Sequence, residues 1–231
     1  MGLQTQGLRA IVAAWAVVCL APLAQAGERE LALAEVERIS ASADTRQVAR
    51  WVLASGDNAG LPFAIVDKKD ARLFVFGPQG RMLGTAPALI GQAPGDHTVP
   101  GVGDKPPSQV LPDERTTPAG RFVSEPGRNL DGERVVWVEY DSGFAIHRVR
   151  PDRAQQRRLQ QLASTSPDDN RATLGCVVVD DDFYAGVVLP QLGRGSAVVY
   201  VLPETRPVSS LFGGVRLASS GSSSAAPPQP R

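Results

Sequence analysis

The chain has few of the residues from which disulfide-linked and metal-binding proteins are built. Its 231 residues include two cysteines and two histidines, and only 6% are aromatic. Such scarce ligands argue against a zinc site, so no metal and no cofactor are expected. Lysine plus arginine equals aspartate plus glutamate at 24 each, and this balance offers no electrostatic basis for nucleic-acid binding.

Long apolar runs are also scarce, and the one present lies at the N-terminus. Arg9 is the only charged residue before a run from Ala10 to Leu20, and an Ala-Gln-Ala triplet ending at Ala26 follows. The run is shorter than the roughly 20 residues of a membrane-spanning helix, and small-x-small triplets are cut by signal peptidase. Residues 1–26 are therefore predicted to be a signal peptide. An exported protein of the periplasm is expected, with no stable membrane insertion after cleavage.

Cleavage would remove Cys19 and leave a single thiol, that of Cys176. Upstream, His147 ends an apolar Phe-Ala-Ile-His segment, and a thiol beside an imidazole is the pair that acyl-transferring cysteine enzymes use. Gly175 would let a substrate carbonyl approach, and the amides of Gly175 and Cys176 are candidate oxyanion donors. From these residues alone, an inert buried cysteine is an equally good interpretation.

Periodicity predicts a helical start followed by a β-rich body, a fold class that is mostly β with some α. Residues 27–60 are predicted to be helical, because apolar residues recur at helical spacing from Leu31 to Val52. From residue 61 the spacing becomes that of strands, interrupted by helices over 153–163 and 181–192.

Two segments lack periodicity. Residues 91–118 are rich in Gly, Pro and charge, which predicts a long functional loop. Residues 207–231 form a Ser-, Ala- and Pro-rich tail that is predicted to be largely disordered.

Four motifs occur in a fixed order along the β-rich body. They are a hairpin over 63–76, Thr-Pro-Ala-Gly-Arg-Phe at 117–122, Ala-Ile-His at 145–147 and Thr-Leu-Gly-Cys at 173–176. With a closing strand at 198–203, they resemble the L,D-transpeptidase or YkuD domain of bacterial cell-wall enzymes, which would occupy residues 61–206. The chain departs from the family pattern at Arg148, Leu174 and Val178, where the family commonly has a small residue, His, and Arg or Asn.

The resemblance implies two mixed sheets around a catalytic cleft and a cysteine-dependent acyltransferase. Cys176 would be the nucleophile and His147 the general base. Contacts to substrate would come from Thr173, Arg148 and Arg171. The implied substrate is the stem tetrapeptide of peptidoglycan. The thiol would attack the bond after the third residue, release D-alanine and pass the acyl group to an amine.

Several functional alternatives stay open. The acceptor is another stem peptide, an envelope protein or water, and with water the enzyme would be a hydrolytic L,D-carboxypeptidase or endopeptidase. A sortase-like transpeptidase shares the order His before Cys, although the chain lacks the Thr-Leu-x-Thr-Cys spacing. A non-catalytic cell-wall-binding scaffold is the last alternative, and the accessibility of the thiol would distinguish it from the enzymes.

Overall fold

Two helices precede the sheet, as the helical spacing predicts. The computed structural model describes residue 27 and residues 30–213, so the predicted signal peptide and most of the predicted tail lie outside the described residues. Helix α1 covers residues 30–38 and α2 covers Ala43–Ser55. The Ser42 side chain caps α2 by accepting a hydrogen bond from the Thr45 N–H. Within the described part, no helix is both long and apolar enough to cross a membrane.

Strands dominate the rest of the described chain, and this confirms the α+β class. They are β1 Phe63–Asp67, β2 Arg72–Phe76, β3 Met82–Pro87, β4 Ile90–Gly91, β5 Gly120–Arg128, β6 Arg134–Glu139, β7 Phe144–Arg148, β8 Arg171–Thr173, β9 Val177–Val179 and β10 Ala197–Val201. Helix α3 covers Gln155–Leu162. A second helical stretch consists of α4 Asp181–Phe183, a π-helical turn Tyr184–Val188 and α5 Leu189–Leu192. The short strand β8 was not predicted.

One long strand joins two groups of strands. The eight-stranded sheet has the order β3-β2-β1-β10-β5-β6-β7-β9, and β4 and β8 form a separate parallel pair. The first half of β5, up to Ser124, pairs with β10, and the second half, from Glu125, pairs with β6. Each group contains one parallel pair, β1 with β10 and β7 with β9. The sheet therefore has two mixed halves that share only β5.

Both halves contribute to one core. Their shared apolar cluster includes Val66 and Val75 from the first half, Ile146 and Val177 from the second, and Val188 from the π-helical turn. The other face of the first half packs on α1 and α2 in a second cluster. A smaller cluster lies on the other face of the second half and includes the partly buried Cys176.

The long segment over 91–118 has local structure of its own. It contains three short 3₁₀ turns, Val102–Asp104, Pro107–Gln109 and Pro112–Glu114. In the first turn, Gly103 lies directly against the backbone of residues 141–143, the turn between β6 and β7. The segment therefore lies beside the turn that leads into the predicted histidine strand.

The ordered structure continues beyond residue 206, where the sequence predicted a disordered tail. Val208 and Phe212 are buried in the cluster that includes α2, and the Phe212 ring lies 5.8 Å from the ring of Trp51 and 5.9 Å from that of Tyr200. Residues up to 213 therefore contribute two apolar side chains to a core that the sequence does not reveal, and the rest of the predicted tail, 214–231, lies outside the described residues.

We expect Phe212→Ala to lower the free energy of unfolding by about 3–5 kcal/mol, because it leaves a cavity beside Trp51 and Tyr200. Urea unfolding followed by Trp fluorescence would measure the loss. The control is Val123→Ala, which shortens an exposed apolar side chain and should change stability little. Equal stability of the Phe212→Ala and Val123→Ala variants would show that the segment after residue 206 is not part of the core.

Candidate active site

The register of two parallel strands places the thiol and the imidazole on one face of the sheet. His147 of β7 pairs with Val178 of β9. Cys176 lies two residues before Val178, so it is level with Ala145, which lies two residues before His147. Side chains two residues apart on a strand point to the same face. The Cys176 and His147 side chains are therefore diagonal neighbours on adjacent strands, a separation that long side chains can span.

The imidazole of His147 is oriented by the main chain. Its Nδ1 lies 2.8 Å from the carbonyl oxygen of Arg148. Since a carbonyl can only accept, Nδ1 carries the proton, and in the neutral ring Nε2 has a free lone pair. Burial lowers the pKa of His147, and the bond to the Arg148 carbonyl opposes this effect only in part. The ring is therefore a neutral base whose orienting partner is a backbone carbonyl.

The thiol of Cys176 is neutral in the resting site. Its Sγ donates to the carbonyl oxygen of Gly143 at 3.5 Å, and the residue packs against the cluster of Leu89 and Val178. Burial raises the pKa of the Cys176 thiol, and the backbone N–H of Ala145 offsets this only partly. Within residues 30–213, no hydrogen bond joins this thiol to the imidazole. Proton transfer would then have to accompany attack on a substrate.

The turn before the thiol requires glycine. Gly175 has φ +139°, and a β carbon there would lie 2.9 Å from the Thr116 carbonyl oxygen. The Thr173 hydroxyl closes the turn, because it donates to the Cys176 carbonyl at 2.7 Å and accepts the Gly175 N–H at 3.1 Å. The Thr173 side chain thus shapes the turn, and its contact with a substrate stays a prediction. The Gly175 amide could act as the predicted oxyanion donor only after leaving this hydroxyl.

Thr117, in the Thr-Pro-Ala-Gly motif, holds that turn from the opposite side. Its buried hydroxyl donates to the Gly175 carbonyl at 2.8 Å and accepts the Gly91 N–H at 2.9 Å. Its own carbonyl accepts a hydrogen bond from Lys68 Nζ at 3.0 Å. One residue therefore connects both ends of the 91–118 segment to the turn that precedes Cys176.

A buried lysine lies behind Thr117, and the sequence analysis did not identify it. Lys68 Nζ donates to Asp96 Oδ1 at 3.0 Å and to the Gly95 carbonyl, and it lies 3.5 Å from Glu204 Oε1. An Asp-Lys-Lys-Asp tetrapeptide between two strands is typical of a solvated turn. Nothing local in the sequence distinguishes Lys68, whose side chain is 1% exposed, from Lys69, at 49%.

Asp96 and Glu204 complete this ion network. Burial alone would raise the pKa of Asp96, but hydrogen bonds from Thr205, the Glu204 N–H and Lys68 hold it well below its usual range. Glu204 accepts the Gly95 N–H at 2.8 Å through Oε1 and pairs with Arg171 through Oε2. The guanidinium of Arg171 is therefore bound to a carboxylate of the protein itself. The predicted contact of Arg171 with a substrate carboxylate would require this guanidinium to leave Glu204, and it stays a prediction.

Arg148 is also held by carboxylates of the protein. Its guanidinium donates to Glu133 at 2.8 Å and to Asp181 at 3.3 Å, and the side chain is partly exposed. Glu133 also pairs with Arg150 at 3.7 Å. Of the three predicted substrate contacts, only Arg148 lies in a partly exposed charged cluster beside His147.

Comparison with known proteins finds similarity at the level of structure only. No family model and no curated protein matches the chain. A mutant of the helical cell shape determining protein Pgp2 from Campylobacter jejuni is similar over 72% of this chain and 58% of its own, with 13% identity and a TM-score of 0.43. An L,D-transpeptidase from Xylanimonas cellulosilytica is similar over 65% of this chain and 67% of its own, with 16% identity and a TM-score of 0.37. The case for a function therefore rests on the geometry of the site.

We expect Lys68→Met to lower the free energy of unfolding by about 3–5 kcal/mol, because it removes the buried ammonium that pairs with Asp96 and lies beside Glu204. The matched control is Lys69→Met, which removes a half-exposed ammonium paired with Asp44 and should cost less than about 1 kcal/mol. Urea unfolding of both variants measures the difference. A loss that is the same for the two lysines would contradict the central role of Lys68.

The neutral thiol predicts a distinctive pH dependence. Because the pKa of Cys176 is raised, alkylation by iodoacetamide should rise with pH through a midpoint above about 8.5, the value of an ordinary cysteine. The measurement is the rate of mass gain at Cys176 from pH 6 to 10. A midpoint below that of an ordinary thiol would indicate a preformed thiolate–imidazolium pair instead.

Proposed function

We propose that the chain is a cysteine-dependent L,D-transpeptidase of the periplasm that acts on peptidoglycan stem tetrapeptides. One observation carries the proposal: Cys176, the residue before β9, lies on the same face as His147 of the adjacent parallel strand β7, and the bond from Nδ1 leaves Nε2 of the imidazole as its basic nitrogen. The glycine turn of Gly175 supports it, because the hydrogen bond from Thr117 fixes the backbone immediately before the thiol.

The proposed first half-reaction forms a thioester. Nε2 of His147 removes the thiol proton as Sγ of Cys176 attacks the carbonyl carbon of the third stem residue, and a tetrahedral oxyanion forms. The Cys176 N–H is the proposed oxyanion donor, joined by that of Gly175 once it is released from Thr173. The C–N bond then breaks, and the imidazolium gives its proton to the departing amine of D-alanine.

The second half-reaction passes the acyl group on. An acceptor amine attacks the thioester, His147 takes the proton from the amine, and the C–S bond breaks as the imidazolium returns this proton to Sγ, which regenerates the Cys176 thiol. The acceptor is a second stem peptide or an envelope protein. With water as the acceptor, the same steps make the enzyme an L,D-carboxypeptidase or endopeptidase.

A non-catalytic scaffold is the second candidate, and one observation favours it. The Cys176 thiol is neutral, donates to the Gly143 carbonyl and packs with Leu89 and Val178, as a structural cysteine would. The scaffold would bind the cell wall without forming a bond to it. Covalent chemistry at Cys176 separates the two candidates.

The test uses a carbapenem, a β-lactam that acylates cysteines of this type, on the chain without residues 1–26. Intact mass should show one adduct on the wild type and none on Cys176→Ala. His147→Ala should slow acylation by about 10²–10⁴-fold, because the general base is lost. The matched control is His97→Ala, which removes the other, exposed histidine and should leave the rate unchanged.

The outcomes separate the candidates. No adduct on a folded wild type would refute the enzyme and favour the scaffold, whereas an adduct that persists on Cys176→Ala would refute this nucleophile. If an adduct forms, incubation with stem tetrapeptides follows. A crosslinked product identifies transfer to an amine, and a tripeptide with free D-alanine identifies hydrolysis.

A further inference from the structure

Two aromatic side chains stack on the surface of the second half of the sheet. The rings of Trp137, in β6, and Tyr140, in the turn that follows, have centroids 4.5 Å apart and planes inclined by 26°. Tyr140 is 66% exposed, and Trp137 is partly exposed. In the described residues, no other stacked ring pair has such an exposed member, since Phe63 and Phe76 form a stack inside the core.

A glycine in the neighbouring strand β5 leaves room for this pair of rings. A β carbon at Gly127 of β5 would lie 2.4 Å from Cδ1 of Trp137 and 3.3 Å from the hydroxyl oxygen of Tyr140. The absence of a side chain at Gly127 therefore allows both rings to lie close to the β5 backbone. The indole N–H points to the Arg128 carbonyl at 3.4 Å, which orients the ring further.

The pair is aligned with the candidate nucleophile. Trp137 pairs with Ala145 across β6 and β7, and Ala145 is level with Cys176 across β7 and β9. The three residues thus form one row on one face, with Ala145 buried between the other two. Since neighbouring strands lie about 4.8 Å apart, Trp137 is about 10 Å from Cys176 along this row.

The surroundings of the pair suit a ligand with both an apolar face and hydroxyl groups. Glu125 lies directly opposite Trp137 on β5, on the same face, and it is exposed. Its carboxylate can accept hydrogen bonds from hydroxyls at the rim of the rings. A pyranose combines these features, with C–H groups on its face and hydroxyls at its edge. The carboxylate also accepts the Ser196 hydroxyl at 3.5 Å, which leaves its remaining lone pairs for hydroxyls of a ligand.

We propose that Trp137 and Tyr140 form a platform for a pyranose ring of the peptidoglycan glycan strand. This inference rests on the proposed function, in which the thiol attacks after the third stem residue. Three extended residues span about 10 Å, the same as the distance from Cys176 to Trp137 along the row. A stem peptide in the site would therefore bring the sugar that carries it to the aromatic pair.

The test measures the binding of glycan without its peptides. The probes are the tetramer of N-acetylglucosamine and glycan strands stripped of stem peptides by an amidase, with affinity measured by titration calorimetry. Trp137→Ala and Tyr140→Ala should each weaken binding by about tenfold, because an aromatic face is lost. Tyr140→Phe keeps the face and should bind nearly as the wild type does. Gly127→Val should weaken binding without removing either ring, because it displaces both.

The matched control is Leu130→Ala, which removes a fully exposed apolar side chain from the same β5–β6 hairpin and should leave binding unchanged. Unchanged glycan binding in both Trp137→Ala and Tyr140→Ala, or no binding by the wild type, would overturn the platform.

Carbapenem acylation keeps this test separate from the test of the proposed function. It should be unchanged in the platform variants, and Cys176→Ala should bind glycan as the wild type does. An absent adduct with intact glycan binding would refute the transpeptidase and retain the platform. An adduct without glycan binding would support the cysteine nucleophile and refute the platform.

Discussion

The buried ammonium of Lys68 joins parts of the chain that are far apart in sequence. It contacts the Asp96 carboxylate, the Thr117 carbonyl and Glu204, and so connects the end of β1, both ends of the 91–118 segment and the residues after β10. A buried charge is costly unless its partners are in place, so this arrangement strongly favours one position of the segment. Through Thr117 the constraint reaches Gly175, and therefore the thiol, although Lys68 itself contacts neither.

The candidate site is arranged around neutral groups. The same burial that lowers the pKa of His147 raises that of Cys176, so a thiol and an imidazole coexist without charge. Under the proposed function, charge would develop only when a substrate carbonyl arrives and is attacked. A neutral resting thiol would also be protected from the oxidation to which thiolates are prone.

Much of the fold could be predicted from local pattern. Strand spacing located eight of the ten strands, all except the short strands β4 and β8, and helical spacing located both helices before the sheet, because alternation and capping act within a few residues. The strand β8 was missed because Arg171–Thr173 has no alternation of its own and is defined by its pairing with β4. Phe212 was assigned to the tail because its partners, Trp51 and Tyr200, are distant in sequence.

The sequence by itself determined the α+β class and singled out Cys176, His147 and Gly175 as the candidate residues for acyl transfer. Only the tertiary structure decided which charged side chains around these residues are buried and which are paired with one another. Lys68 and Lys69 are adjacent and chemically identical, yet one is buried in an ion network and the other is half exposed. Arg171, a candidate substrate contact in the sequence, is bound to Glu204. The physical reason is that burial and ion pairing depend on strand register and on contacts between distant segments, whereas periodicity and motifs are local.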